Sequence, residues 1–195
     1  VRVKPMSRLR APLFLVPLAL LLLALPAIQP FTLGRVPQSA DGILHLYRIV
    51  TLEHDMATTG AFWPRYSASL VAGYGAPLFN YYSPQPYQIP ALLTRIGLTP
   101  AHSFLLALAS YTLLGMTGAY QLGRAWSTRA GGLVTAAAYA YAPYTLVNAV
   151  ARGTLTEMAG LAILPWLMWL LWRLAAHNRA RDLMLAAMTY ALFIL

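Results

Sequence analysis

The chain of 195 residues has no cysteine. Disulfides, thiolate metal sites and a cysteine nucleophile are therefore excluded. Charge is scarce: only 10% of residues are Asp, Glu, Lys or Arg, and only five are acidic. A soluble domain carries about a quarter charged residues. The four histidines show no HExxH or comparable ligand spacing. There is no Walker A loop, no nucleophile elbow and no evident internal repeat. What remains is apolar. Hydrophobic residues make up 59% of the chain and mean hydropathy is +0.58.

The apolar residues come in runs long enough to cross a bilayer, for which ~20 residues suffice. The expected fold is all-α, a polytopic transmembrane helix bundle. The net charge of +9 does not point to nucleic acid. Thirteen of the fourteen basic residues are arginines. They collect at the ends of apolar runs, which is a topology signal, and no basic stripe alternates with stacking aromatics.

Arg2, Lys4, Arg8 and Arg10 precede a first apolar run, Ala11–Ile28. It reads as a retained membrane helix. The alternative is a signal peptide, but the run is long and Leu25-Pro26-Ala27 is a poor cleavage site. Residues 31–100 are richer in Gly, Pro, aromatic and polar residues and read as one large extracytoplasmic loop. Within it, Ser39–Thr59 reads as an amphipathic helix lying along the membrane surface. On a helical wheel Ile43, Leu46, Tyr47, Val50 and Ala57 take one side. Asp41, His45, Arg48 and Asp55 take the other, with Leu52 misplaced among them. Phe62–Pro86, with four prolines, reads as loop. Ile89–Leu98 is too short to span and reads as a second interfacial helix.

Further spans are expected at Ala101–Leu122, Ala130–Ala149, Met158–Leu174 and from Leu183 onward. The final run ends on apolar residues, as expected for a fragment of a longer protein. If Ile89–Leu98 does not cross, the N-terminal tail and both arginine-rich connectors share the cytoplasmic side, with nine basic residues and one acidic. A crossing there would place the connectors outside and violate the positive-inside rule. Asp41 and Glu157 are thereby expected on one extracytoplasmic face.

Three segments could carry chemistry there. In Asp41-x-x-x-His45-x-x-Arg48 the three side chains share a helix face. With Asp41 in the first turn, the helix dipole favours its ionised form. It could accept a proton or hold a cation, and Arg48 could meet a phosphate. A solvated helix face explains the same spacing. Pro64-Arg65-Tyr66 and Gly73-Tyr74-Gly75-Ala76-Pro77-Leu78-Phe79-Asn80-Tyr81-Tyr82-Ser83-Pro84 offer aromatic and amide groups suited to a sugar or lipid headgroup. An interfacial aromatic belt accounts for them equally. Gly73-Tyr74-Gly75 is not a potassium filter, since Val71-Ala72 precedes it and no Asp follows. Arg152-Gly153-Thr154-Leu155-Thr156-Glu157 is a short outer connector whose Arg and Glu could pair.

In this order the segments resemble a bacterial integral membrane family known as 6-pyruvoyl-tetrahydropterin synthase-related, together with YfhO-like proteins. That family looks like the GT-C type of glycosyltransferase. The resemblance runs from Asp41 to Glu157 and departs from the pattern at Gln85, where an apolar residue is expected. It implies a GT-C-like bundle with two juxtamembrane helices in a large first extracytoplasmic loop, in a bacterial plasma membrane. It further implies transfer of a sugar from a polyprenyl-phosphate donor, with Asp41 catalytic. His45, Arg48, Arg65, Tyr74, Asn80, Tyr81, Arg152 and Glu157 become candidate substrate contacts. Some such enzymes bind a divalent metal, Mg or Mn, for which Asp41 and Glu157 are the available ligands; others bind none. The acceptor is not specified. A carrier or flippase for a lipid-linked precursor is the alternative and predicts ionisable residues inside the spans. A structural or assembly protein is the third.

Overall fold

The computed structural model describes residues 15–194; the basic N-terminal tail lies outside them. The described residues form an all-α polytopic bundle, in which the sole extended pairing is an isolated bridge between Ser67 and Ala76. In chain order, α1 is Leu15–Thr32, α2 Gly42–Thr59, α3 Leu78–Tyr81, α4 Gln85–Arg95, α5 Pro100–Trp126, α6 Arg129–Ala140, α7 Pro143–Leu146, α8 Leu155–His177 and α9 Ala180–Ile194. Among them α1, α5 and α8 are long and apolar enough to cross a membrane.

The helices α5, α6 and α8 form the centre, joined by close approaches at small residues. A side chain at Gly118 would collide with the Trp166 ring, and one at Gly132 with Tyr120. Membrane helices associate through such small-residue contacts because lipid gives apolar surfaces little reason to separate from it. α1 packs against α5 and α6 through Leu20, Ala24, Met116, Tyr120, Ala136 and Ala140. A second core gathers Ile49, Leu52, Tyr87, Phe104, Leu108 and Met158 from α2, α4, α5 and α8.

Two prolines inside helices are accommodated in the same way. Pro90 in α4 cannot donate to the carbonyl of Pro86, and Pro165 in α8 cannot donate to that of Leu161. Tyr111 on α5 donates its hydroxyl to the Pro86 oxygen at 3.0 Å, and Tyr139 on α6 donates to the Leu161 oxygen at 2.7 Å. A neighbouring helix thus satisfies each carbonyl the proline leaves free, as an apolar environment requires.

Four local expectations are corrected. The run 130–149 is not one helix. α6 stops at Ala140, and after the break come α7 and a π-helical turn, Val147–Arg152. Pro143 lacks an N–H and disfavours helical geometry at Ala142. α4 begins at Gln85, earlier than Ile89, because Pro84 and Pro86 occupy its cap and first turn, where proline is tolerated. At 11 residues it is about 16 Å long, too short to cross. α8 is longer than 158–174, and takes Glu157 into its first turn and His177 into its last.

The fourth concerns α2, whose polar side, expected in solvent, packs against the bundle. The stripe Gly42, His45, Ile49, Leu52 and Met56 is buried, and Asp55 lies with it. Ile43, Tyr47 and Val50 are exposed. Leu52 is therefore no misfit but the centre of the packed face. In a membrane protein the more apolar side can turn to lipid while polar groups turn inward, where partners exist.

Candidate functional site

The segment before α2 and the turn before α8 are stitched together by backbone. Ala40 N–H donates to the Ala151 oxygen at 3.2 Å and Asp41 N–H to the Arg152 oxygen at 2.8 Å. Gly153 allows this approach. Its φ is +66°, and a Cβ there would strike Ser39. Asp41 and Arg152, separated by 111 positions in the sequence, become neighbours for this reason.

Arg152 sits between the two acids. Its Nη1 donates to Glu157 Oε2 at 2.8 Å, and its Nη2 lies 3.7 Å from Asp41 Oδ2. Nη1 also donates to Asn148 Oδ1 at 2.8 Å. Tyr144 OH donates to the same Glu157 oxygen at 3.2 Å. Asn148 is fully buried and holds the turn, accepting at its backbone carbonyl from Thr154 N–H at 3.0 Å. Asp41 is the N-cap of α2, not a residue of its first turn, and its side chain caps no backbone N–H. All three charged side chains keep more than a third of their surface, so solvent reaches them.

Beside this cluster lies a buried network on α2 and α4. Arg48 Nη1 donates to the Tyr87 hydroxyl at 3.1 Å, and that hydroxyl is 2.7 Å from His45 Nδ1. With the His45 proton on Nε2, the Tyr87 hydroxyl donates to Nδ1 while accepting from Arg48. Burial first, then the Arg48 charge, lowers the His45 pKa to about 4. Burial likewise pushes the Tyr87 phenol far above its ordinary value. The Arg48 guanidinium also lies over the Tyr82 ring, 3.8 Å from its centroid. His45 feels the charges of Asp41, Glu157 and Arg152 as well as Arg48. The two clusters are thus electrostatically one region.

The lowered His45 pKa has a measurable consequence. Between pH 6.5 and 4 the unfolded chain binds a proton there that the folded chain refuses, so stability falls as pH falls. Melting temperatures across that interval should drop less for His45→Gln, with a difference on the order of 1–3 kcal/mol at the acid end. Identical pH profiles would contradict the buried neutral imidazole.

Next to the network a groove of ≈ 350 Å³ runs between α2 and the following loop, lined by Leu44, Tyr47, Leu70, Leu78 and Tyr82, with Arg48 beside them. A second hollow of ≈ 250 Å³ is lined by Arg65, Asn80 and Tyr81 together with Trp63 and Tyr82. Tyr74 stands apart and is exposed. Its carbonyl accepts from Tyr66 OH at 3.1 Å, and Gly75, at φ +80°, leaves room for that ring. The glycines of Gly73-Tyr74-Gly75 therefore have a structural explanation.

The donor set does not fit a divalent ion. The two acids expected as ligands already share Arg152, whose charge opposes a cation. Among the described residues no group of three or more His, Asp or Glu converges. Sequence reasoning also missed Tyr87, Tyr144 and Asn148. Asn148 carried a usable signal, an amide inside an otherwise apolar run. The tyrosines did not, in a chain with twelve of them.

The family model for the 6-pyruvoyl-tetrahydropterin synthase related domain, a membrane protein family, matches residues 79–195, more than half of the chain. The chain belongs to this family. Within the 6-pyruvoyl-tetrahydropterin synthase related domain lie Asn80, Tyr81, Tyr87, Asn148, Arg152 and Glu157. Asp41, His45, Arg48, Arg65 and Tyr74 precede the matched segment. No curated protein and no solved structure matches the chain.

Proposed function

We propose that the chain carries the catalytic face of a GT-C-type membrane glycosyltransferase, which moves a sugar from a polyprenyl-phosphate donor to an acceptor hydroxyl. The supporting observation is the convergence of Asp41, Arg152 and Glu157 next to the His45–Tyr87–Arg48 network. In this reading the Asp41 carboxylate takes the acceptor proton. The acceptor oxygen attacks the anomeric carbon, whose bond to the phosphate oxygen breaks. The phosphate leaves with the electron pair and is neutralised by Arg152, with Arg48 and Arg65 further along its path. Glu157 orients Arg152. Asn80 and Tyr81 form the sugar-facing rim, and Tyr74 stands apart from it. In this reading the arginine-rich connectors face the cytoplasm, and this end of the bundle lies on the outer side of a bacterial plasma membrane.

A carrier would need charge within the spans. The buried pair Arg173–Asp182 is the nearest case, but it lies beside the α8–α9 turn, at a helix end. It therefore does not favour transport.

The test uses membranes containing the full-length protein, given a polyprenyl-phosphate sugar. Asp41→Asn should abolish transfer at unchanged expression. Transfer equal to the parent's would remove Asp41 from the chemistry.

A further inference from the structure

At the opposite end of the bundle, α5 and α8 enclose a pocket of ≈ 480 Å³ lined by Gln121, Arg124, Ala125 and Trp169. Gln121, Arg124 and Ala125 are one turn apart on one face of α5. Trp169 faces them from α8. Arg124 is exposed, and among the described residues no hydrogen bond or ion pair engages it. Arg173, by contrast, is committed. Its guanidinium lies 4.8 Å from the Trp169 ring centroid, and its Nη2 is 2.6 Å from Asp182 Oδ1. Arg124, Arg129, Arg173, Arg179 and Arg181 all lie at this end, against Asp182 alone among acids.

We propose that this pocket binds the phosphate-bearing headgroup of an anionic phospholipid. A lone cation, an amide donor and an indole at one mouth suit a phosphodiester at the membrane surface. Basic pockets between membrane helices take such headgroups, and Trp belongs at that depth. Leu114, two turns before Gln121 on the same face of α5, is exposed, at 42%, and its carbonyl accepts from the Trp166 indole one turn before Trp169. It offers apolar surface for an acyl chain on the pocket's own face of α5. Free phosphate would use the polar groups but not this surface, so the lipid is the occupant. None of the residues proposed for transfer takes part, and the site stands whether or not the chain is a glycosyltransferase.

The experiment is native mass spectrometry of the full-length protein with phosphatidylglycerol, with phosphatidylcholine, or with inorganic phosphate. The parent should retain phosphatidylglycerol selectively. Arg124→Gln should weaken that retention about fivefold, the worth of one arginine at an anionic surface. Arg95→Gln removes an exposed arginine from the other end of the bundle and should leave retention unchanged. Because Arg124 is exposed and has no partner among the described residues, its replacement should not disturb folding, and an unchanged melting temperature checks this. Equal retention of phosphatidylcholine, equal loss in both variants, or no loss in Arg124→Gln would each overturn the site. Binding of inorganic phosphate as tightly as the lipid would overturn the lipid assignment.

Discussion

Arg152→Ala should lower sugar transfer by on the order of 100-fold or more while leaving the fold nearly as stable as before. The two effects separate because of where the side chain sits. Arg152 bridges Asp41 and Glu157, yet all three side chains are 36–42% exposed. Exposed ion pairs contribute little to stability, about 0–1 kcal/mol. The turn that carries Arg152 is held by backbone bonds from Ala40 and Asp41 and by buried Asn148, whose Oδ1 keeps the Thr154 hydroxyl as a donor when the guanidinium is gone. Without it, two carboxylates face the site with no cation between them, and a departing phosphate would meet net negative charge. Removing one well-placed donor to a developing anion typically costs 10²–10³ in rate. Arg152→Lys restores the charge but not the fork that reaches Asp41, Glu157 and Asn148 together, so it should recover only part of the activity. Rates and melting temperatures measured on the same preparations decide the matter. Full transfer by Arg152→Ala, with Asp41→Asn inactive, would remove Arg152 from the leaving-group role.

The parts of the architecture legible from residues alone were those decided by long-range composition. Long apolar runs announce α1, α5 and α8, and arginine placement orders the connectors. The non-crossing segment around α4 follows from length. Local geometry was harder to read because proline has three meanings. At Pro84 and Pro86 it begins a helix, at Pro143 it breaks one, and at Pro90 and Pro165 it is tolerated because tyrosines on other helices accept the consequence. No local pattern distinguishes these cases, since the deciding hydroxyl comes from elsewhere in the chain. The wheel of α2 left open what its polar side meets, for a related reason. Amphipathicity finds two faces but does not say which one meets protein when lipid is the alternative solvent. Of the candidate site, the shared end of Asp41 and Glu157 followed from topology. The link through Arg152 and Gly153 did not, because backbone-to-backbone bonds leave no trace in side-chain identity.

The largest loss of stability is expected from breaking Arg173–Asp182. Asp182 is completely buried, and the ion pair with Arg173 at 2.6 Å is the contact that answers its charge. Arg173 is itself only 23% exposed in its side chain and is held over Trp169. Both carboxylate oxygens otherwise lack hydrogen-bond partners among the described residues. Arg173→Met keeps most of the packing and deletes the charge, stranding a carboxylate between α8 and α9. Such stranding costs about 3–5 kcal/mol, or a fall in melting temperature of roughly 6–20 °C for a chain of this size. The double variant Arg173→Met/Asp182→Leu removes both charges and should regain most of that loss, since a buried pair replaced by apolar groups is often neutral. The two single changes would then be strongly non-additive, as expected for groups in contact. Detergent-solubilised full-length protein, followed by thermal unfolding, gives all four values of the cycle. If Arg173→Met melts with the parent, or the double variant is no better than the single, the pair does not join the two helices. The turn 177–180 would then owe its geometry to Asn178 in its left-handed conformation and the backbone bond it donates to Leu174.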